Sequence, residues 1–436
     1  MLPLPYRISY SFGFPLANYY IVAPTSASYA DRLGNDSSLA SIIIGMTSVA
    51  ALISTLLYSW WTSYSYKSAL IFASVCSIVG NLLYASGLPC HSLSLVMLGR
   101  LLNGFGSARS INRRYIADSY ARADRTAAAA AFVTATALGM ATGPALASIL
   151  HVSTADSTSV YWQAENAPGW FMMIVWTLFL ICLVWKFEDP KRNTGLDEQR
   201  RPPANNTADE SQPLLEVAAA ESGSDGELNP PPPLWRNIPV ITTLIIYMVL
   251  KMVLEAVLSS EANITASYFG WKGDVMGLHL TILALLILPV NFTIAFLAQK
   301  FDDRELILGL LMSMLVGALT ILQYQPNRED YSLIQYLMGS AILFVCASAL
   351  EAPNMALLSK VIPRKWSRGI INVGLLATES GTGGRVVGDV LLAYVGRRCS
   401  DNASLINYSF GPFAGVIVAT LAATYAVFDH LEPTEE

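Results

Sequence analysis

LGRLLNGFGSARSINRRYIAD, residues 98–118, begins as an apolar run fit to enter a membrane and then fills with arginine. Arg100 falls near the middle of that run, Arg109 near its end, and Arg113 and Arg114 just beyond. An arginine at mid-membrane costs roughly 2.5–3.5 kcal/mol on insertion scales, so its neighbours must offset that cost. A polar partner, an aqueous cavity or a ligand can each do so.

The rest of the chain also reads as a membrane protein. Of 436 residues, 53% are hydrophobic and 14% charged, whereas soluble domains carry about 25% charged residues. Apolar windows long enough to cross a hydrocarbon core of about 30 Å recur along the chain. They lie near 5–28, 38–60, 68–86, 92–112, 126–150, 169–186, 238–260, 276–298, 304–323, 333–355, 369–395 and 405–428. An all-α membrane protein of twelve spans is the expectation, the first span being interrupted by Pro15, Asn18, Tyr19, Tyr20 and Pro24. Nothing resembles a cleavable signal peptide. With both termini on one side, that side holds eighteen of the 27 Lys and Arg, five lie opposite and four within spans. The excess of basic loops places both termini in the cytosol. The five cysteines show no metal-ligand spacing, and Cys90 and Cys399 on the opposite side read as reduced bystanders. Asn35, Asn263, Asn402 and Asn407 stand in N-x-S/T triplets on or near that side.

Residues 187–236 break the apolar pattern with charge, Ser, Gly, Asn and the run Pro230–Pro233, as a flexible linker does. The expected organisation is a six-helix bundle over 1–186, this linker, a second bundle over 237–429 and a short tail over 430–436. The bundles look duplicated. Ser107–Ala147 aligns without gaps on Ala349–Asp389, bringing Asn112 onto Asn354, Arg122 onto Arg364 and Gly139 onto Gly381. SASYA (26–30) likewise matches TASYF (265–269), and YKSALI (66–71) falls opposite DRELIL (303–308). Near-equal offsets point to two pseudo-symmetric halves, as in many transporters. The alignment also pairs Arg109 with Glu351 near the cytosolic face.

These segments carry a family resemblance. RLLNGFGSA (100–108), LGMATGPALA (138–147) and AQKFDDRE (298–305) resemble the span-4, span-5 and loop motifs of the major facilitator superfamily. The equivalent first-half loop, WWTSYSYKS (60–68), lacks the Asp-Arg pair. A closer resemblance is to the SPX–major facilitator family, the vacuolar phosphate transporters of plants and their relatives. It is carried by NYYIVAPT (18–25), GSARSINRRYIAD (106–118), LKMVLEAVLSSEANITASYFGW (250–271), LPVNF (288–292) and SRGIINVGLLATESGTGGRVVGD (367–389). The resemblance implies the major facilitator fold and transport of phosphate. Members carry an N-terminal SPX sensor domain, whereas this sequence starts almost on its first span, so the expectation is a transporter without that sensor. ESQPLL (210–215) fits an acidic dileucine signal through Glu210, Leu214 and Leu215, which implies a sorting adaptor as partner and a vacuolar or lysosomal address.

Charges within spans nominate the site. On a continuous helix Arg100 and Asn103 share a face that Arg109 does not. Arg100 is therefore expected on a central cavity, and Arg109 in a cytosolic gate with Glu351, Asp302, Asp303 and Arg304. Lys251 and Glu255 stand at i,i+4, as do Arg385 and Asp389, and GTGG (381–384) allows a helix or a ligand to come close. Each pair reads either as an internal salt bridge or as cavity charge. In the second reading Arg100, Lys251 and Arg385 face a small hydrated anion, with Asn18, Tyr19, Tyr20 and Asn103 as neutral donors. A guanidinium offers such an anion a planar fork and an ammonium offers a compact charge. Glu255, Glu379 and Asp389 serve as counter-charges or proton carriers. No nucleophile–base pair, cofactor motif, metal site or nucleic-acid-binding feature is present, and His279 reads as interfacial. The expected partners are inorganic phosphate or a similar small anion, protons, membrane lipid and the adaptor. Rival readings are an organic-anion or drug exchanger, a channel-like conductance, and a non-transporting sensor or scaffold.

Overall fold

Apolar runs closed by capping residues become helices along the whole chain, and the way each run is interrupted sets where the polar centre forms. The computed structural model describes residues 15–62, 64–112, 115, 122–189, 236–298, 300–362, 373–399 and 404–431. Its main helices are α1 (Ser26–Arg32), α2 (Ala40–Trp61), α3 (Tyr66–Ser86), α4 (Leu93–Phe105), α5 (Arg122–Ser153) and α6 (Ala167–Lys186) in the first half. The second half holds α7 (Ile238–Phe269), α8 (Gly273–Leu297), α9 (Asp303–Ile321), α10 (Leu333–Ala349), α11 (Glu351–Val361), α12 (Val373–Cys399) and α13 (Leu405–Ala426).

Side chains fix several of the helix starts. Ser65 accepts the Ser68 N–H at α3, and Asn237 accepts the Val240 N–H at α7. Asp302 and Glu305 form a reciprocal capping box at α9. Gly270, at φ 63°, ends α7 in the left-handed conformation that costs glycine little.

Among the described residues, nine helices are long and apolar enough to cross a membrane. The three remaining spans of the twelve are the exceptions that matter. The first is broken: residues 15–20 are helical, the chain turns at Ile21–Val22, and a 3-10 turn at Ala23–Thr25 leads into α1. The fourth stops early, because α4 ends at Phe105 and Ser107–Ala108 are non-helical before a new turn at 109–112. The eleventh, α12, is continuous but carries Glu379, Arg385, Asp389, Arg397 and Arg398.

With twelve spans the ends of the described chain, Pro15 and Leu431, fall on one face of the bundle, here called the terminal face. The halves meet along α5 with α8, α2 with α12, and the broken first span with α7. The α5–α8 contacts lie at the opposite face, where Ser148 Oγ donates to the Asp274 carbonyl at 2.7 Å. A Cβ on Gly277 would come 2.6 Å from the Pro144 carbonyl oxygen, so only glycine allows that approach. The two halves are thereby packed together at that face. One apolar core runs through the second half, whereas the first half has two, one near each face. Buried Thr47, Ser74, Ser77, Asn81 and Asn103 populate the level between them. Linker residues 190–235, with Glu210, Leu214 and Leu215, and the basic residues Arg113 and Arg114 lie outside the described residues.

Candidate functional site

The break in the first span creates the first chemical demand. A helix that ends at Tyr20 leaves its last carbonyls without intrahelical donors. Ala17 O takes the Ile21 N–H at 2.9 Å. Asn18 O and Tyr19 O take Arg100 Nη1 and Nη2 at 3.3 and 3.4 Å, while Arg100 Nε donates to Ile43 O at 3.3 Å. Arg100 is fully buried, its guanidinium 5.7 Å from the centre of the Tyr19 ring. Its mid-membrane charge is thus offset by orphaned backbone, and a cation suits the negative end of a helix. This differs from the expectation: Arg100 staples the first span to α2 and α4 and is not among the described residues that line the cleft.

The end of α4 has the reverse consequence for Arg109. Hydroxyls of α2 accept the geometry of the break: Thr47 donates to Arg100 O at 3.1 Å, Ser54 to Gly104 O at 3.3 Å, and Tyr58 to Phe105 O. The irregular Gly106–Ala108 segment resets the helical phase, so the nine-residue spacing from Arg100 no longer fixes the direction of Arg109. Arg109 lines a cleft between the halves with Asn18, Tyr19, Thr47, Asn103 and Arg385. The cleft encloses about 540 Å³, counting its open mouth, and runs from Arg385 to Pro15, Thr55 and Arg109 near the terminal face. Two guanidiniums, together with hydroxyls and amides, stand on its wall, and no carboxylate does among the described residues.

Behind that wall lies a buried charge cluster. Arg385 Nη1 donates to Glu255 Oε2 at 2.7 Å, and Nη2 to Tyr20 Oη at 3.3 Å. Tyr19 Oη donates to Glu255 Oε1 at 2.6 Å, with Ser48 Oγ 3.2 Å away. Arg385 also stacks 5.1 Å from the Tyr19 ring centre. Ser259 Oγ donates to Asp389 Oδ1 at 2.6 Å. The i,i+4 pairs of the sequence are therefore not the pairs of the structure: Glu255 binds Arg385 across helices, and Lys251 binds Glu351 of α11 at 2.6 Å. The cause is packing. A Cβ on Gly381 would lie 3.0 Å from Lys251 Cγ, so the small residues of α12 admit helix α7 itself.

The remaining nominated residues fall into place around this centre. Glu379 lies within hydrogen-bonding reach of Thr55, and its Oε1 has no partner among the described residues. Glu351 holds Lys251, and Arg109 lines the cleft on the other half. Asp303 binds Lys360 at 2.6 Å, Asp302 caps α9, and Arg304 lies 3.6 Å from Asp302 and over the Phe428 ring. In the first half Asp189 supplies what the loop lacks, accepting from Ser65 Oγ and from the Lys67 N–H at 2.6 and 2.8 Å. The sequence reading did not weigh the cleft hydroxyls Ser48, Thr55 and Thr382, or Ser259. It also placed His279 at an interface, but His279 is buried 2.7 Å from Glu261, which accepts a second bond from Tyr336 at 2.7 Å.

A model of the Major Facilitator Superfamily matches residues 10–259. The chain belongs to that superfamily. It is therefore a multi-pass membrane protein of the major facilitator type. An SPX domain-containing membrane protein of Oryza sativa subsp. indica is 34% identical over 442 aligned positions. A similarly described protein of Arabidopsis thaliana is 33% identical. Each alignment covers 95% of this chain, which spans 62% of the relative's length. Among solved structures, a D-xylose–proton symporter superposes with a TM-score of 0.68 at 14% identity, covering 98% of each chain. A bacterial homologue of the human lysosomal transporter Spinster, inward-facing and occupied, gives 0.65 at 12% identity, covering 98% of this chain and 95% of its own. The likeness read from the sequence and the twelve-helix fold both stand.

Proposed function

We propose that the chain is a secondary transporter that moves inorganic phosphate, or a similar small anion, by alternating access. The observation that carries this reading is the cleft wall, where Arg109 and Arg385 stand among hydroxyls and amides with no carboxylate among the described lining residues. Glu255 and Tyr20 take two of the five N–H groups of Arg385, which leaves donors for an oxyanion. Asn18 and Asn103 supply neutral donors in place of water, while Tyr19 gives its one hydroxyl proton to Glu255. Phosphate itself comes from the resemblance to the SPX–major facilitator family, because the wall chemistry specifies charge and not identity.

Within this reading the cleft opens to the cytosol, the side of the basic loops, and the opposite face, where the halves pack together, turns towards a vacuolar or lysosomal lumen. Lys251–Glu351 and Asp303–Lys360 hold the cytosolic ends of the second half in register. Protons and lipid are the remaining partners, and Glu210, Leu214 and Leu215 engage the sorting adaptor from the linker. Radiolabelled phosphate uptake into proteoliposomes, with sulfate, chloride and organic anions as competitors, tests the assignment. Competition by sulfate but not by bulky organic anions is expected. Preference for an organic anion would move the chain to the exchanger reading, and no flux of any anion would leave a sensor or scaffold. Replacing Leu214 and Leu215 with Ala should send the protein to the cell surface without changing its flux; unchanged targeting would remove the adaptor.

A further inference from the structure

A second recess lies across the packed level from the cleft. Ser37, Ser38, Ser41, Ser259, Ser260 and Ser409 line it, with Asn263 and Gly396, around about 280 Å³ counting its mouth. It sits between the opposite-face ends of α2 and α12 and the second half of α7. Ser259 is the point where this recess meets the buried charge cluster, because its hydroxyl lies 2.6 Å from Asp389 Oδ1 and 3.3 Å from Glu255 Oε1.

The two carboxyl groups that share Ser259 are not equivalent. Glu255 is held by a guanidinium and a phenol, so its charge is matched. Asp389 is buried, receives the one proton that Ser259 can give, and leaves Oδ2 without a partner among the described residues. A buried ionised carboxylate without a paired cation is expensive, whereas the neutral acid in the same place is not. The charged and titratable groups facing Asp389 are Glu255 of α7, Arg385 of its own helix, Arg100 of α4 and Tyr19 of the first span. From α2 it meets Gly45, where a Cβ would come 2.9 Å from Oδ2. Ser38 Oγ, in the recess, is a second buried polar atom without a partner among the described residues.

We propose that Asp389 is the residue that takes up and releases a coupled proton, and that the serine-lined recess is its route to the opposite-face compartment. The proposal rests on the anion-transport reading and adds to it a proton site and a path. The step balances: a hydronium in the recess gives a proton to Ser259 Oγ as Ser259 passes its own proton to Asp389 Oδ1, leaving water behind. The recess admits protons and water while the packed α5–α8 contact keeps the anion out. Loss of the proton gives Arg385 a second carboxylate one helical turn away on α12, in competition with Glu255. Protonation of Asp389 thus decides how firmly Arg385 is held at the cleft wall, which links the proton to the anion.

Two measurements test this. In proteoliposomes, one coupled proton makes a gradient of about one pH unit worth about tenfold in phosphate accumulation. Asp389→Asn should abolish that dependence on the gradient, Ser259→Ala should slow gradient-driven uptake, and Ser259→Thr should restore it. Infrared difference spectra of the purified protein in lipid should show a protonated-carboxyl band that titrates, is missing from Asp389→Asn and persists in Glu255→Gln. Gradient-driven accumulation by Asp389→Asn at the wild-type level would overturn the proposal. So would a band that survives in that variant. Failure of the anion reading shows separately, as absence of phosphate counterflow in the wild type, and the infrared band still decides the proton site.

Discussion

The two halves align in sequence as repeats of one six-helix unit, yet they meet the cleft with different chemistry. The first half brings hydroxyls and amides, with Arg109 where its fourth span is broken and Arg100 holding the break in its first span together. The second half brings the ion pairs of Arg385 with Glu255 and Lys251 with Glu351, and the hydrogen-bonded pair of Glu261 with His279. The contrast is sharpest between the first and seventh spans, which the SASYA and TASYF segments place in register. Over residues 15–30 the first is short pieces with polar but uncharged residues, while α7 is one 32-residue helix carrying Lys251, Glu255, Ser259 and Glu261. A continuous helix satisfies its own backbone and is free to hold side-chain charge. A broken one must borrow a cation for its carbonyls. The two halves thus divide the work of neutral solvation and charge.

That division can be broken by mutation, and the effects should fall in order. The largest is expected in the second half. Arg385→Gln leaves Glu255 buried without its cation and should cost about 3–5 kcal/mol of stability, as removal of one partner of a buried pair does. Adding Glu255→Gln should recover most of that stability but none of the anion flux. Thermal unfolding in detergent and counterflow read the two effects separately; recovery of flux in the double variant would reduce the pair to scaffolding.

Next comes the staple. Arg100→Met leaves the Asn18 and Tyr19 carbonyls unpaired and should cost about 1–3 kcal/mol. Unlike Arg385, its loss should be felt through the amount of folded protein, with the apparent affinity for phosphate retained. A weakened affinity at full folding would place Arg100 back among the anion's ligands.

The smallest effect belongs to the first-half loop. Asp189 stands in for the missing Asp-Arg pair, but it is exposed, so Asp189→Ala should cost about 1 kcal/mol or less. Lys360→Ala, which breaks the second-half counterpart with Asp303, should behave alike. A large loss for one loop and none for the other would show that the two latches are not equivalent.

The sequence revealed the fold through span length, basic-loop bias and the repeat, because these depend on composition over many residues. It also nominated most of the side chains that gather at the centre: Asn18, Tyr19, Tyr20, Asn103, Glu255, Arg385 and Asp389. It misassigned partners wherever tertiary packing overrode local spacing. Lys251 and Glu255 stand one turn apart, yet each binds another helix, because the glycines of α12 bring that helix against α7. The positions of Arg100 and Arg109 were exchanged for a similar reason. Helical phase holds only along an unbroken helix, and GFGSA interrupts it between them. Hydroxyls such as Ser259 carry no sequence signal of their own, since serine is common in packed membrane helices and acquires meaning from what it touches.

The central claim is that an anion binds at the cleft wall through Arg385, and binding can be read without transport. A ligand present at about one hundred times its dissociation constant stabilises the folded state by about 2.7 kcal/mol. Thermal unfolding of the purified protein should therefore shift upward with increasing phosphate, and the shift should vanish in the Arg385→Gln, Glu255→Gln double variant. An equal shift in that double variant would contradict the account.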